Sequence, residues 1–423
     1  MLARKKIELE DQIRYSFLVR KLLQKMYQLK AKFATDNDVR LKYLFEATNM
    51  LTDAKDDSVS GAIHSALAEK SDLQGWLRTW YSESQTEISK GIIIKPYVSP
   101  QEKGVIYVSF EKHLVRLLNS ADFDKLQQQF LVVFAPTWSP PHSPALYAMP
   151  HLLEDGLFTT ISNVKDVAFM DNVSDRLFKL ERYASSWVNT DNFQAKPFAE
   201  KDIDLLVIAN FGKFKRHFCL FKALSEMDNP IKVTLIGQDE PGRNIGSVIN
   251  EAKLYGVDHM IDFAGPKSYE QISDYLSRAK TTAIFSKREG SCVVIAESIA
   301  ANTPTAVFAD AEVGSKVFIN DQTGILLENS HLGAQLSRFI AQSETFSPKQ
   351  WLIESGNDCK GSAVYLNDQI KNWHIQRNKP WTQDLFAMER SPLAKISQPE
   401  EQQKMLDEQA RIEREFGLFI GRR

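Results

Sequence analysis

Between residues 203 and 310 the chain alternates short apolar runs with amphipathic stretches: IDLLVIANF, KRHFCLFKALSEM, IKVTLIGQ, SYEQISDYLSRAK, TTAIFS, CVVIAESIAAN and PTAVFAD. Apolar runs of roughly four to eight residues suit strands buried on both faces, and the stretches between them carry helical spacing. Strands separated by whole helices pair in parallel through crossovers, since no tight turn joins them. The alternation therefore predicts a doubly wound α/β domain, assigned to residues 196–345. Few other folds accept this rhythm.

A second, less regular α/β region is predicted over 96–195. It reads VIYVSF as a strand, LVRLLNSADFDKLQQQ as one helix, and FLVVFAPTW, LFTTISN and KLERYASSWV as further extended segments. The Pro-rich stretch APTWSPPHSPALYAMP forms the loop after a strand, on the side where open α/β sheets bind ligands. Residues 1–95 read as a helical extension. Its apolar positions Ile13, Phe17, Met26, Leu29 and Phe33 fall near one face and are expected to pack on the body or on a second copy of the chain. Residues 346–423 read as a helical tail that packs back, with Met405, Ile412, Phe416 and Phe419 on one side. The expected fold class is α/β, two Rossmann-like domains facing a cleft, with an added helical N-terminal segment.

At 423 residues the chain exceeds one ordinary core, which agrees with two domains. A formal net charge of −2, with no basic stripe, argues against nucleic acid as a partner. Cys219, Cys292 and Cys359 stand far apart, so neither a zinc site nor a disulfide framework is signalled. No metal and no cofactor are expected. A cytoplasmic protein is the expectation, with peripheral membrane contact left open, because no apolar run reaches the length of a membrane span.

The chemistry-bearing stretch is FSKREGSCVVIAESIAANTPTAVF. A strand, a small-residue loop and a helix start follow one another, which points backbone N–H groups at an anion such as a phosphate. Gly290 leaves room for close ligand approach. Glu289 stands at the loop and Glu297 is read as two turns into the helix. Carboxylates accept hydrogen bonds without donating them, so they suit sugar hydroxyls and a ribose diol. The bare spacing of two glutamates is common; its frame is what gives it meaning.

That frame, together with VIANFGKFKRHFCLFKAL, VTLIGQ and FAGPKSYEQISDYLSRAKTTAIFS upstream, resembles the C-terminal domain of retaining glycosyltransferases of the group 1 family, which have the GT-B fold. The resemblance implies transfer of a sugar from a nucleotide-sugar donor to a hydroxyl acceptor, with retention and without a metal. It places Glu297 on the nucleotide ribose and Glu289 on the donor sugar. Backbone N–H groups of Ser291, Cys292 and Val293 would face the sugar and diphosphate, and Lys215 the diphosphate. Gly265 and Pro266 would pass the base. His142, in the Pro-rich loop, falls where the family often sets a histidine toward the donor sugar, with His113 and His151 as weaker rivals.

The sequence also departs from the family. Asn210 stands where an arginine is usual, with Lys213 and Arg216 as neighbouring cations able to replace it. VSFEKHLV lacks the glycine-rich loop. Two readings stay open on these grounds: an active transferase, or a nucleotide-sugar-binding or scaffolding protein with a degenerate acceptor domain. An epimerase or phosphorylase on the same fold is a third. The acceptor, whether glycan, lipid or small molecule, is not legible, and a homo-oligomer through the N-terminal helices is an expectation only.

Overall fold

The computed structural model describes residues 2–51, 58–138, 142–390 and 394–421. They form two compact α/β units that the chain visits in turn. Residues up to Tyr15 and Val188–Asp358 build one, and Ser16–Trp187 with the segment from Cys359 onward build the other.

In the unit spanning Ser16–Trp187, helices over Phe17–Phe33, Asn37–Asn49, Ser60–Ala68 and Leu73–Tyr81 precede six strands. These are β1 (Glu87–Ile88), β2 (Gly91–Lys95), β3 (Gly104–Ser109), β4 (Phe130–Ala135), β5 (Leu157–Ile161) and β6 (Leu177–Tyr183). β2 to β6 form one sheet in simple sequence order. β2 runs antiparallel to β3, and the rest are parallel, with Val105 opposite Leu131 and Thr159 opposite Lys179. Strands β2, β4 and β5 are buried throughout, which is why they read as unbroken apolar runs. Every parallel step moves the same way across the sheet, so right-handed crossovers leave their helices on one face. The tail packs on the strands directly. Trp373 meets Phe158 edge-on at 5.6 Å and Phe178 at 6.2 Å, and the Arg411 guanidinium lies over Phe130. Phe419–Ile420 extends β1 in parallel.

Two sequence expectations need correction here. GIIIK, within the stretch read as helical, is strand β2. The stretch read as one helix between β3 and β4 is two, Glu111–Arg116 and Phe123–Gln129, because Asp122 restarts it by accepting from the Lys125 N–H at 2.9 Å. Ile13, Phe17, Met26, Leu29 and Phe33, expected to pack on the body or on a second copy of the chain, are exposed on this one. Helix Phe17–Phe33 meets Asn37–Asn49 through its other side. There Gln24 and Ala31 are buried, Tyr27 stacks on Tyr43, and Arg20 donates to the Leu51 carbonyl at 2.7 Å.

The unit containing residues 188–358 holds β7 (Ile203–Ile208), β8 (Val233–Ile236), β9 (Ile261–Ala264), β10 (Ala279–Ile284), β11 (Thr305–Phe308) and β12 (Gly324–Leu327). All are parallel, in the order β12-β11-β10-β7-β8-β9. The chain winds outward from β7 to β9, then returns and winds the other way from β10. The reversal lies between β7 and β10, and such a point opens a crevice beyond the carboxyl ends of its strands. Gly237, just past β8, is required by packing: a Cβ there would meet the Ala209 carbonyl at 2.3 Å and the Phe211 ring at 2.5 Å. The first helix, Leu2–Tyr15, joins this unit, and Ser16 in extended conformation separates it from the next helix. Among the described residues no helix is long and apolar enough to cross a membrane.

Candidate active site

The loops that leave β7 and β10 carry the candidate side chains, one on each side of the strand-order reversal. After β7 the backbone turns through Asn210–Gly212 into a short 3-10 turn, Lys213–Lys215, which ends in left-handed Arg216. After β10 the loop runs from Phe285 to Val293, and the helix begins at Val294. The helix thus starts later than the sequence suggests. Glu297 lies in its first turn, not two turns in. The loop is pinned from behind: the Gly290 carbonyl accepts from the Gly314 N–H at 2.7 Å, and the Ser291 carbonyl from the Ser315 N–H at 3.1 Å.

Lys215 and Glu289, 74 residues apart, meet across the reversal with Nζ 2.7 Å from Oε2. Both side chains are largely buried. The other oxygen, Glu289 Oε1, is buried and accepts no hydrogen bond from the described residues. The thiol of Cys292 interacts with this carboxylate, but it is too weak a donor to satisfy it. Burial, followed by the charge of Glu289, pushes the Cys292 pKa well above its ordinary value. The thiol is therefore a neutral loop group, held in a left-handed conformation with φ 47°. A buried, unpaired carboxylate oxygen costs free energy unless something donates to it.

The remaining candidates divide. Gly265 follows β9 and faces open space, with nothing within 4 Å of a Cβ built on it. Arg216 is already engaged: its guanidinium holds both Asp11 oxygens, at 3.0 and 3.1 Å, and donates to the Phe285 carbonyl at 3.1 Å. Its partner Asp11 comes from the first helix, which no local motif could reveal. Asn210 is likewise tied, through Nδ2, to Glu240 at 2.5 Å. His142 belongs to the other unit, buried edge-on against Phe169 at 4.1 Å between ring centroids, and residues 139–141 of its loop lie outside the described residues. His113 and His151 also lie in that unit.

His217, which the sequence reading passed over, sits directly behind the Lys215 turn. Burial, then the charges of Arg243 and Lys215, depresses its pKa to about 3, so it is a neutral imidazole. Its position two residues after a lysine at a helix start was the available signal. Asp202 and Asp204 are held by Arg278 and Lys280, at 2.8 and 2.7 Å. Among the described residues no group of three or more His, Cys, Asp or Glu could hold a metal ion.

Residues 188–347 match the family model of glycosyl transferases group 1. No curated protein sequence matches the chain. Among solved structures, Anabaena HepE in complex with UDP and glucose is similar with a TM-score of 0.50 at 14% identity, over 72% of this chain and 81% of that one. Sucrose-phosphate synthase from Thermosynechococcus elongatus is similar with a TM-score of 0.50 at 17% identity, over 65% and 73%. TarM has a TM-score of 0.48 at 12% identity, over 59% of this chain and 51% of that one, so the chain spans about half of TarM's length. At these identities the likeness is one of fold, the GT-B architecture that the family resemblance implied.

Proposed function

We infer that this protein, whose residues 188–347 match the group 1 glycosyl transferase model, moves a sugar from a nucleotide-sugar donor to a hydroxyl acceptor, with retention and without a metal. The observation that carries the reading is the Lys215–Glu289 pair across the strand-order reversal, with Glu289 Oε1 buried and unpaired. A donor sugar hydroxyl is a donor of the kind that oxygen lacks. Lys215, held in place by the same carboxylate, offers its ammonium to the diphosphate and stabilises the charge that grows there as the glycosidic bond breaks. Glu297, in the first turn of the adjoining helix, accepts from the ribose diol. For retention, the acceptor oxygen bonds to the anomeric carbon on the face the diphosphate leaves, and its proton passes to a diphosphate oxygen. Uridine diphosphate sugars are the first donors to try, since HepE was solved with UDP.

Asn210 and its bond to Glu240 favour a second reading, in which the pocket binds a nucleotide sugar without turnover. A panel of UDP-, GDP-, ADP- and CDP-sugars tests both. A donor at a hundred times its Kd adds about 2.7 kcal/mol to stability, a visible rise in Tm. The transferase reading expects one nucleotide to stabilise the protein, Glu297→Ala to lose that shift and Glu289→Ala to lose turnover. Binding without turnover across glycan, lipid and small-molecule acceptors would select the second reading. Binding of none would overturn both.

A further inference from the structure

Helix Phe17–Phe33 presents an apolar stripe that the fold leaves bare. Leu18 is 70% exposed, Leu22 68%, Leu29 57% and Phe33 74%. With Met26 these positions span an arc of roughly 80° on a 3.6-residue helix. The opposite side, through Gln24, Tyr27 and Ala31, is the one that packs on the neighbouring helix. The stripe is therefore no unfinished core face; the helix has a buried side already. Its charge is one-sided too. Arg20, Lys21, Lys25, Lys30 and Lys32 lie on this helix, and no acidic residue does. On the wheel Lys21, Lys25 and Lys32 line one rim of the stripe and Lys30 the other.

We propose that this face docks on an anionic lipid surface, with the leucines and Phe33 entering the headgroup boundary and the lysines meeting lipid phosphates. An amphipathic helix with a basic polar side and a bare apolar side binds a membrane interface in its plane, without spanning it. A second copy of the chain is the rival occupant, and charge decides against it. Helical seams that pair with themselves set opposite charges along their rims, whereas here lysine would face lysine in either orientation. An anionic bilayer supplies the sign the helix lacks. Of this stripe the sequence singles out Met26, Leu29 and Phe33, and it is the exposure of these together with Leu18 and Leu22 that carries the proposal.

The test is cosedimentation of the full chain with phosphatidylcholine vesicles, with and without phosphatidylglycerol. Binding is expected to the anionic vesicles only, weakening as salt rises. Lys21→Gln, Lys25→Gln and Lys32→Gln together should weaken it strongly, each lysine near such a surface contributing about fivefold. Leu18→Ser, Leu22→Ser and Leu29→Ser together should abolish it while the melting temperature stays unchanged, because these side chains touch little in the folded chain. Equal binding to neutral vesicles would overturn the charge argument, and undiminished binding of the leucine variant would overturn the stripe. A dimer in sedimentation equilibrium that the leucine variant dissociates, with no vesicle binding by the wild type, would give the face to a second copy instead.

Discussion

Two buried lysine–glutamate pairs of nearly equal length invite comparison. Lys95 and Glu102 lie 2.8 Å apart in the unit with the unreversed sheet; Lys215 and Glu289 lie 2.7 Å apart at the reversal of the other. Their surroundings differ in completeness. Glu102 Oε1 also accepts from the N–H groups of Thr382 and Gln383, at 2.8 and 3.1 Å, and its Oε2 from the Thr382 hydroxyl at 2.8 Å. Lys95 donates to the Gln383 carbonyl and lies 4.4 Å from the centre of the Trp381 ring. Burial alone would raise the Glu102 pKa, but the hydrogen bonds from Lys95, Thr382 and Gln383 outweigh it and hold it at about 2. Glu289 has one strong partner and one bare oxygen. A pair finished inside the protein fastens the tail to the sheet; a pair left half finished keeps bonding capacity for something that arrives later.

Cutting each pair should separate these roles. Glu102→Ala strands a buried ammonium and releases residues 381–383, so a loss of about 3–5 kcal/mol is expected in denaturant unfolding. A loss well under that would show that the pair does not fasten the tail. Glu289→Gln keeps size while weakening the acceptor. Turnover or donor affinity should fall more than a hundredfold, about 2.7 kcal/mol, with little change in stability. If instead Glu289→Gln destabilises the chain as much as Glu102→Ala, the two pairs are alike and the contrast fails.

Acid should strain both units. Burial, then the charges of Lys379 and Lys95, lowers His374 from 6.5 to about 4, and His217 is lower still at about 3. Both imidazoles bind protons less readily folded than unfolded. The stability they contribute is full above about 6.5 and drains as pH falls toward their folded values. Unfolding followed from pH 7 to pH 4 should show it, and His374→Phe should flatten the part owed to His374. The smallest effect belongs to the bare helix face: Leu22→Ser should change stability by less than about 0.5 kcal/mol, since the side chain leaves no cavity.

The comparison also explains how much was legible beforehand. Strands β7, β10 and β11 are buried on both faces, so their apolar runs announced themselves, and the loop-and-helix frame around Glu289 is continuous in sequence. Strand β2 hid because a run of three isoleucines after a helical stretch carries no period of its own. The helix start at Val294 was read early because Cys292 adopts a left-handed conformation that no sequence rule demands of a cysteine.

The alternation of apolar runs and helices by itself determined a parallel α/β architecture, since strands joined through helices have few other ways to pair. It also determined the glutamate-bearing loop after one of those strands. Tertiary structure alone decided that the sheet of residues 203–327 reverses while the other does not. It alone brought Lys215 to Glu289, committed Arg216 to Asp11 some 205 residues away, and left the stripe of helix Phe17–Phe33 uncovered. The reason is range. Periodicity and turn chemistry act over a few residues, whereas the partner of a charge and the cover of an apolar face are chosen by strand order, which only the assembled sheet fixes.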